Sequence, residues 1–206
     1  MLKLFYAPGT CSLAAHIALE ETGTAYEARR VDFSTAEQTK PDYLAVNPKG
    51  RVPALVTDRG IITETPAILT YVAQSFPEAK LAPAGDAFAF ARIQSFLSYI
   101  GSTVHVAHAH GRRGARWADD PAAHEAMKAK VASNMAACFE LIENTMFEGP
   151  FVAGESYSIA DPYLFTMAGW LEPDGVDPTR FPKVLDHRNR MTQRPAVARV
   201  LAALKG

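Results

Sequence analysis

The amino-terminal fold is decided by the stretch LKLFYAPGTCSLAAHIALEETGTAYEARRV, residues 2–31. The short apolar run Leu2–Tyr6 predicts a buried strand, and the apolar spacing of Ser12–Thr22, with Gly23 just beyond it, predicts a helix. Tyr26–Val31 predicts a second strand. A helix between two strands favours a βαβ unit in which the strands pair in parallel.

A hairpin and another helix follow this unit. The apolar runs 54–56 and 61–62 flank residues 58–60, Asp-Arg-Gly, which predicts a hairpin with glycine at its turn. Thr65 is predicted to cap a helix that has Pro66 at its first position, where a missing N–H costs nothing. The predicted order is strand, helix, strand, short helix, strand, strand, helix, which is an α/β domain.

Strand patterns stop after residue 76, and helical spacing replaces them. We therefore expect a first domain over residues 1–76, a linker over 77–86 and an all-α domain over 87–206. Helices are predicted over Ala87–His110, from Pro121 onward, after the capping sequence Ser158–Asp161, and over Pro195–Leu204.

Composition excludes several classes of protein. The 206 residues include 21 Lys and Arg and 22 Asp and Glu, and this balance argues against a nucleic-acid-binding surface. No apolar stretch is long enough to span a membrane, and MLKLFY before Pro8 lacks the features of a signal peptide. Two cysteines cannot form a disulfide framework, so we expect a cytoplasmic protein.

Cys11 is the first candidate for chemistry. It lies between the first predicted strand and the first turn of the helix, where unpaired N–H groups and the helix dipole stabilise a thiolate. This position predicts a lowered pKa for the Cys11 thiol. The alternative is a small buried side chain at a helix start.

Pro53 lies immediately before a predicted strand, where a proline would interrupt the inter-strand hydrogen bonds if that strand were central in the sheet. A cis Val52–Pro53 bond is a natural solution, and it leaves the Val52 N–H and C=O groups able to pair with an extended, peptide-like ligand. An ordinary loop proline is the alternative.

Glu64 and Thr65 form another candidate site at the start of a helix. The Thr65 hydroxyl and N–H can bind a carboxylate there, and the Glu64 carboxylate can hold an ammonium group. Together they match the α-amino acid end of a ligand. A plain helix cap is the alternative.

Three histidines, His105, His108 and His110, follow one another on a predicted helix. The first two share a face and the third points elsewhere. No HExxH pattern accompanies them, so a metal site is not expected. A single histidine acting as a hydrogen-bond donor is the functional interpretation, with a core or solvated histidine as the alternative. Cys138, Trp117 and Trp170 are interpreted as packing residues.

The sequence as a whole resembles the cytosolic glutathione transferase family. The resemblance extends over essentially the whole length of the chain. The segments that carry it are YAPGTCSLAAHIALEETG (6–23), YLAVNPKGRVPAL (43–55), ITETPAILTYVA (62–73) and SIADPYLF (158–165). The Cys11-Ser12 pair, where other classes have a catalytic serine or tyrosine, is similar to the bacterial Beta class.

The resemblance implies a fold, a reaction and partners. The fold is a thioredoxin-like α/β domain followed by an all-α domain, assembled as a homodimer. The reaction is conjugation of glutathione, a cosubstrate, to a small apolar electrophile held between the domains, with no other cofactor and no metal. A glutathione-dependent thiol–disulfide oxidoreductase acting through Cys11, and a non-catalytic glutathione-binding protein, stay open as alternatives.

The resemblance also implies roles for individual residues. Cys11 is expected to contact the glutathione sulfur, and His105, in Ser102–His105, matches the family's active-site histidine. Val52 is expected to pair with the cysteinyl backbone, and Glu64 and Thr65 to hold the γ-glutamyl end. The implied glutathione-binding set is Tyr6, Ser12, Arg51, Val52, Pro53, Glu64 and Thr65.

Three positions depart from the family's pattern. Val106 stands where a lysine usually follows the histidine, Ser98 stands in place of an asparagine, and Ala36 in place of a lysine. Each departure removes a hydrogen-bond donor for glutathione or its sulfur. Weaker glutathione binding or a different acceptor chemistry follows from these losses.

Overall fold

The computed structural model describes residues 1–204, and its first part is a four-stranded sheet in the order β2-β1-β3-β4. The first two strands pair in parallel, and β3 runs antiparallel to both of its neighbours. This is the thioredoxin-like arrangement that the resemblance implies. The strands are β1 (Leu2–Tyr6), β2 (Tyr26–Arg30), β3 (Ala54–Thr57) and β4 (Gly60–Thr63).

Helices flank the sheet and form the rest of the described chain. Beyond residue 76, residues up to 204 contain no strand longer than an isolated bridge. Over the same 1–204, no helix has the length and apolar character needed to cross a membrane. The helices are α1 (Ser12–Thr22), α2 (Pro41–Leu44), α3 (Thr65–Ser75), α4 (Ala87–Tyr99), α5 (His105–Ala109), α6 (Pro121–Ala129), α7 (Val131–Leu141), α8 (Ala160–Ala168), α9 (Pro182–Thr192) and α10 (Pro195–Ala203).

The predicted helix Ala87–His110 is helical almost to its end, but it is not a uniform α-helix. Ile100–Val104 forms a π-helical turn between α4 and α5, and the His105 N–H donates to the Ile100 carbonyl five residues earlier. Such wide turns are frequent at functional sites. The helix predicted from Pro121 also divides, at Lys130, into α6 and α7.

The prediction that Thr65 caps α3 is wrong. Thr65 is the first residue of the helix, and the Glu64 carbonyl accepts the first helical hydrogen bond, from the Ile68 N–H at 3.0 Å. Glu64 has φ 72 and ψ 126, a conformation rare for a residue other than glycine. This bend turns the chain from β4 directly into α3, so no extended capping residue precedes the proline at position 66.

One apolar core joins the sheet to the later helices. It extends from Leu4 and Ile68 beneath the sheet to Leu97, Met135 and Leu164 in the helical part. Helix α1 packs against α3 on one side and against α8 and α10 on the other. The sheet and the helical part therefore pack together through one continuous core.

Asp161 anchors the start of α8 from a fully buried position. Its carboxylate accepts hydrogen bonds from the Ser158 N–H at 2.7 Å and from the Val152 N–H at 2.8 Å, and His187 Nε2 lies 3.0 Å from it. The predicted capping sequence Ser158–Asp161 therefore does more than begin a helix: it ties α8 to a preceding loop and to α9.

Helix α9 was not predicted from the sequence. Its sequence, PKVLDHRNRMT, is largely polar, and only Val184, His187 and Met191 are buried. An apolar stripe this thin is not distinguishable from a loop by periodicity. The helix is held by tertiary contacts, among them that of His187 with Asp161 and the hydrogen bonds that the Lys183 and Val184 N–H groups donate to the Glu143 carboxylate.

Candidate functional site

A cavity of about 820 Å³ lies between the edge of the sheet and the helical part. One wall consists of the loop after β1, the turn at residues 51–53 and the start of α3, and α4, the π turn and α5 form the opposite wall. The structure thus brings together most of the residues singled out from the sequence. Those that line the cavity are Cys11, Arg51, Val52, Pro53, Glu64, Thr65 and His105.

Ser12 and Tyr6 are not among the residues that line the cavity. The buried Ser12 hydroxyl donates to the Ala7 carbonyl at 3.1 Å and accepts from the Ala7 N–H at 3.1 Å. The Tyr6 ring packs against His16, with ring centroids 4.9 Å apart. Both side chains hold the loop around Cys11 in place, and contact of Ser12 with a ligand would require its bonds to Ala7 to break.

Cys11 faces the cavity but is only 7% exposed. Its thiol donates to the Val52 carbonyl across 3.6 Å, at the position just before α1. Burial raises the pKa of the Cys11 thiol, and this outweighs the lowering by the Thr65 hydroxyl and by the charge of Arg113. The expectation of a lowered pKa is therefore wrong, because desolvation exceeds the effect of the helix terminus. At neutral pH the group is a thiol and a hydrogen-bond donor.

The Val52–Pro53 bond is cis, as the resemblance implies. The turn is held by its neighbours: the Arg51 carbonyl accepts from the Tyr43 hydroxyl at 2.7 Å and from Asn47 Nδ2 at 2.6 Å. Within residues 1–204 the Val52 N–H has no hydrogen-bond partner, and its carbonyl accepts only the Cys11 thiol. A short length of backbone is therefore available to a peptide-like ligand at the cavity wall.

Glu64 already holds an ammonium group. Its carboxylate forms an ion pair with Lys49 Nζ, which also donates to the Thr63 hydroxyl at 2.7 Å. Both side chains of the ion pair are largely exposed, so exchange of Lys49 for another ammonium group costs little. Thr65 is buried beside them in the first turn of α3, where unpaired N–H groups attract a carboxylate.

His105 is neutral at physiological pH. Burial lowers the pKa of His105 to about 4, and the charges of His108 and Arg113 add to the effect. Its ring lies edge-on to Trp170, with ring centroids 5.2 Å apart. A neutral imidazole in this position can donate one hydrogen bond into the cavity but carries no charge.

His108 shares the face of His105, as predicted, and it also lines the cavity. Its ring stacks on Trp170 with ring centroids 3.9 Å apart, and its Nδ1 lies 2.7 Å from the Asp174 carboxylate. His110 points elsewhere and packs against Trp117 at 4.3 Å. The helical spacing identified the shared face, but it did not indicate that both histidines would reach the cavity.

Several cavity residues escaped the sequence analysis. Tyr163 is nearly fully buried on α8, where burial raises its pKa, and it lies within the segment SIADPYLF, which was interpreted as a helix start and as a mark of the family but not as part of the site. Trp117 and Trp170, interpreted as packing residues, line the cavity as well. The dense basic run GRRGARW, residues 111–117, was a visible signal, and its arginines at 112, 113 and 116 all line the cavity.

The cavity is lined by both apolar and polar side chains. Three large apolar side chains of α4, Ile93, Phe96 and Leu97, are buried in the core and do not reach it. Histidines, aromatic rings and four arginines line the cavity, with Glu64 as the one acidic side chain among the lining residues described.

Comparison with known proteins agrees with this architecture. The family models for the N-terminal and C-terminal domains of glutathione S-transferase match residues 1–74 and 67–195. The chain is 33% identical to glutathione S-transferase GstA of Escherichia coli O157:H7 over 98% of each sequence.

Two solved structures extend the comparison. A glutathione transferase homolog from Sulfitobacter with bound glutathione is 50% identical, with a TM-score of 0.96 over 98% of both chains. A beta class glutathione S-transferase from Sphingomonas chungbukensis is 38% identical, with a TM-score of 0.85 over 98% of both chains. With two family models that together span most of the chain, and relatives matched from end to end, this protein belongs to the glutathione S-transferase family.

Proposed function

We propose that this protein joins the sulfur of glutathione to a small electrophile within the cavity of about 820 Å³. One observation carries the proposal. The buried thiol of Cys11, the unpaired backbone N–H of Val52 and the carboxylate of Glu64 at the start of α3 line one wall of the cavity, and the neutral imidazole of His105 lies on the opposite wall. Each of these groups matches one part of a γ-glutamyl tripeptide.

Glutathione lies along this wall in an extended conformation. The Val52 N–H and C=O groups pair with its cysteinyl residue. Glu64 takes the γ-glutamyl ammonium group in place of Lys49, and Thr65 with the first turn of α3 takes the adjacent carboxylate. Arg51 binds the glycyl carboxylate, for which a guanidinium fork is well suited.

The chemistry then depends on the glutathione sulfur. Cys11 donates its S–H hydrogen bond to this sulfur, which favours the thiolate of glutathione. Lowering a thiol pKa by two units corresponds to about 2.7 kcal/mol. The thiolate attacks the electrophilic carbon, the C–S bond forms, and the leaving group departs with the bonding electron pair while the thiol proton goes to solvent. His105 supplies a second, neutral hydrogen-bond donor.

The raised pKa of Cys11 favours this reaction over thiol–disulfide exchange. In exchange, the Cys11 thiolate must attack a disulfide, and burial makes that thiolate scarce at neutral pH. In conjugation, the protonated thiol is the useful form, because only it can donate a hydrogen bond.

We also propose how the chain is organised and assembled. Residues 1–76 form the glutathione-binding domain, 77–86 the linker and 87–206 the helical domain. The protein is a homodimer, a proposal supported by the family and by Phe88 on α4, which is 76% exposed. Two free cysteines are in keeping with a reducing cytoplasm. Sedimentation should give twice the 22.4 kDa chain mass, and a single species at that mass contradicts the dimer.

Parallel assays test the activity. Conjugation of chlorodinitrobenzene and reduction of a glutathione mixed disulfide are measured on the same preparation. We expect saturable conjugation that Cys11→Ala reduces strongly, with little disulfide reduction. Disulfide reduction without conjugation would instead establish an oxidoreductase, and glutathione binding without either reaction would establish a binding protein.

A further inference from the structure

Four guanidinium groups line the cavity without a carboxylate partner. Arg51 lies in the turn before the cis bond, and Arg112, Arg113 and Arg116 lie in the segment after α5. None of the four forms an ion pair within residues 1–204, whereas seven arginines elsewhere in that range do. The chain as a whole has a net charge of −1. The four unpaired arginines therefore form a local excess of positive charge at the cavity and do not reflect a generally basic protein.

Nothing else in the cavity wall offsets this charge. Glu64 is the one carboxylate among the described lining residues, and it is paired with Lys49. His105 is uncharged at neutral pH, and the Asp174 carboxylate faces His108. Arg51, Arg113 and Arg116 share this cavity, and burial, followed by the charges of Arg113 and Arg51, lowers the pKa of Arg116.

Glutathione does not supply enough negative charge to match them. It carries two carboxylates and one ammonium group, and its γ-glutamyl end is assigned to Glu64 and Thr65. One carboxylate, that of glycine, remains for the arginines, and a single guanidinium binds it in bidentate fashion. Three guanidinium groups therefore stay unmatched when glutathione is bound.

We propose that the second substrate is a small electrophile bearing a carboxylate, which Arg112 and Arg116 bind. This inference rests on the proposed conjugation and names its substrate class. Arg113 lies near enough to Cys11 for its charge to lower the thiol pKa, so we assign it to the sulfur side of the cavity. The rings of Trp117, Trp170 and Tyr163 line the same cavity and fit the unsaturated part of such a substrate.

A matched pair of electrophiles tests the proposal. Chlorodinitrobenzoate and chlorodinitrobenzamide have the same leaving group and differ in the charge of one substituent. In each reaction the C–S bond forms, chloride leaves with the bonding pair and the thiol proton goes to solvent. Each kcat/KM is divided by the uncatalysed rate constant with glutathione, which removes the difference in intrinsic reactivity. We expect the carboxylate to be preferred about tenfold, and the preference to fall as salt is added.

Variants identify the groups responsible. The double variant Arg112→Gln/Arg116→Gln should lose about tenfold in kcat/KM for the carboxylate and less than about twofold for the amide, with the KM for glutathione unchanged. Arg30→Gln/Arg59→Gln is the matched control, because it also removes two exposed arginine charges, at residues that do not line the cavity. A rise in the KM for glutathione in the double variant would assign these arginines to glutathione and overturn the proposal.

Calorimetry with unreactive dinitrobenzoate and dinitrobenzamide decides the question without turnover. Glutathione-saturated protein should bind the anion more tightly than the amide, and the double variant should bind both equally. Equal binding to the unaltered protein overturns the anion site even if both electrophiles are conjugated. Absence of conjugation together with tight anion binding overturns the proposed reaction and leaves the anion site established.

Discussion

The Cys11 thiol lies 3.6 Å from the Val52 carbonyl oxygen, so the first strand–helix loop and the cis-proline turn meet at one hydrogen bond. The thiol is a proton donor in this pair, and the carbonyl is the acceptor that a peptide-like ligand would also use. We expect a ligand bound at Val52 to compete for this carbonyl and to free the Cys11 S–H for a new acceptor, the glutathione sulfur.

Alkylation should distinguish the two cysteines. Cys11 and Cys138 are each 7% exposed, but only Cys11 lines the cavity, so native-state iodoacetamide should label Cys11 faster. Because burial raises the Cys11 pKa, its labelling rate should keep rising above pH ~8.5, where an ordinary thiol levels off. Mass mapping after timed labelling measures both rates. Faster labelling of Cys138, or a Cys11 rate that levels off below neutral pH, contradicts the assignment.

Replacing His105 should lower the height of the pH–rate profile without changing its shape. The imidazole is neutral at every pH well above its pKa of about 4, so its titration cannot produce an inflection near neutrality. The asparagine amide of His105→Asn is shorter than the imidazole and cannot reach as far into the cavity, so the donor is lost there and kcat should fall by up to about 10²–10³. His110→Asn is the control, since His110 is not among the cavity-lining residues.

His108→Asn separates the two histidines that share the cavity. We expect a smaller loss for it than for His105→Asn, because His108 Nδ1 is engaged by Asp174. A larger loss in His108→Asn than in His105→Asn means that the wrong histidine was chosen.

Glu64→Gln should weaken glutathione binding and leave stability nearly unchanged. Its exposed ion pair with Lys49 contributes less than about 1 kcal/mol to folding. Leaving the ligand's ammonium group unmatched should cost about 1–3 kcal/mol in binding. Calorimetry gives the affinity and thermal melting gives the stability. The matched control is Glu27→Gln, which breaks an exposed lysine pair on the sheet. Equal glutathione affinity in both variants would show that Glu64 does not contact glutathione.

Asp161→Ala should be the most destabilising of these substitutions. The buried carboxylate accepts from two N–H groups and contacts His187, and its removal leaves these donors without an acceptor. We expect a loss of about 3–5 kcal/mol in the free energy of unfolding, measured with urea. Asp186→Ala, which breaks only an exposed pair with Arg190, should cost under about 1 kcal/mol. A small loss in both variants would mean that the loop and α9 are held by other contacts.

The elements predicted from the sequence were those whose signals are local. The strands and helix of residues 2–31 and the hairpin before Glu64 each have their own apolar spacing and turn residues, and they form as predicted. Helix α9 was missed because its sequence is largely polar and its buried contacts are made with residues distant in sequence, His187 with Asp161 and the Lys183 and Val184 N–H groups with Glu143. A helix that depends on tertiary contacts need not have a clear periodic spacing of apolar residues in its own sequence.

The site was predicted unevenly for a related reason. Motif residues such as Val52 and Thr65 do line the cavity. The direction of the Cys11 pKa was wrong, because burial is a property of the packed molecule and the helix terminus alone is visible in the sequence. The arginine cluster combines residue 51 with residues 112–116, and nothing in either segment indicates that they meet.

The π-helical turn at Ile100–Val104 has a consequence for how this protein tolerates change in length. Each residue of an α-helix advances the chain by about 100° around the axis, and a π turn accommodates one residue more than an α turn. Deleting one residue within this turn would therefore restore uniform α-helix and leave His105 and His108 facing nearly as they do now relative to Ser98. Converting the turn to α-helix at constant length would instead rotate both histidines by about 100°. The wide turn thus lets the helix carry one extra residue without turning either histidine out of the cavity.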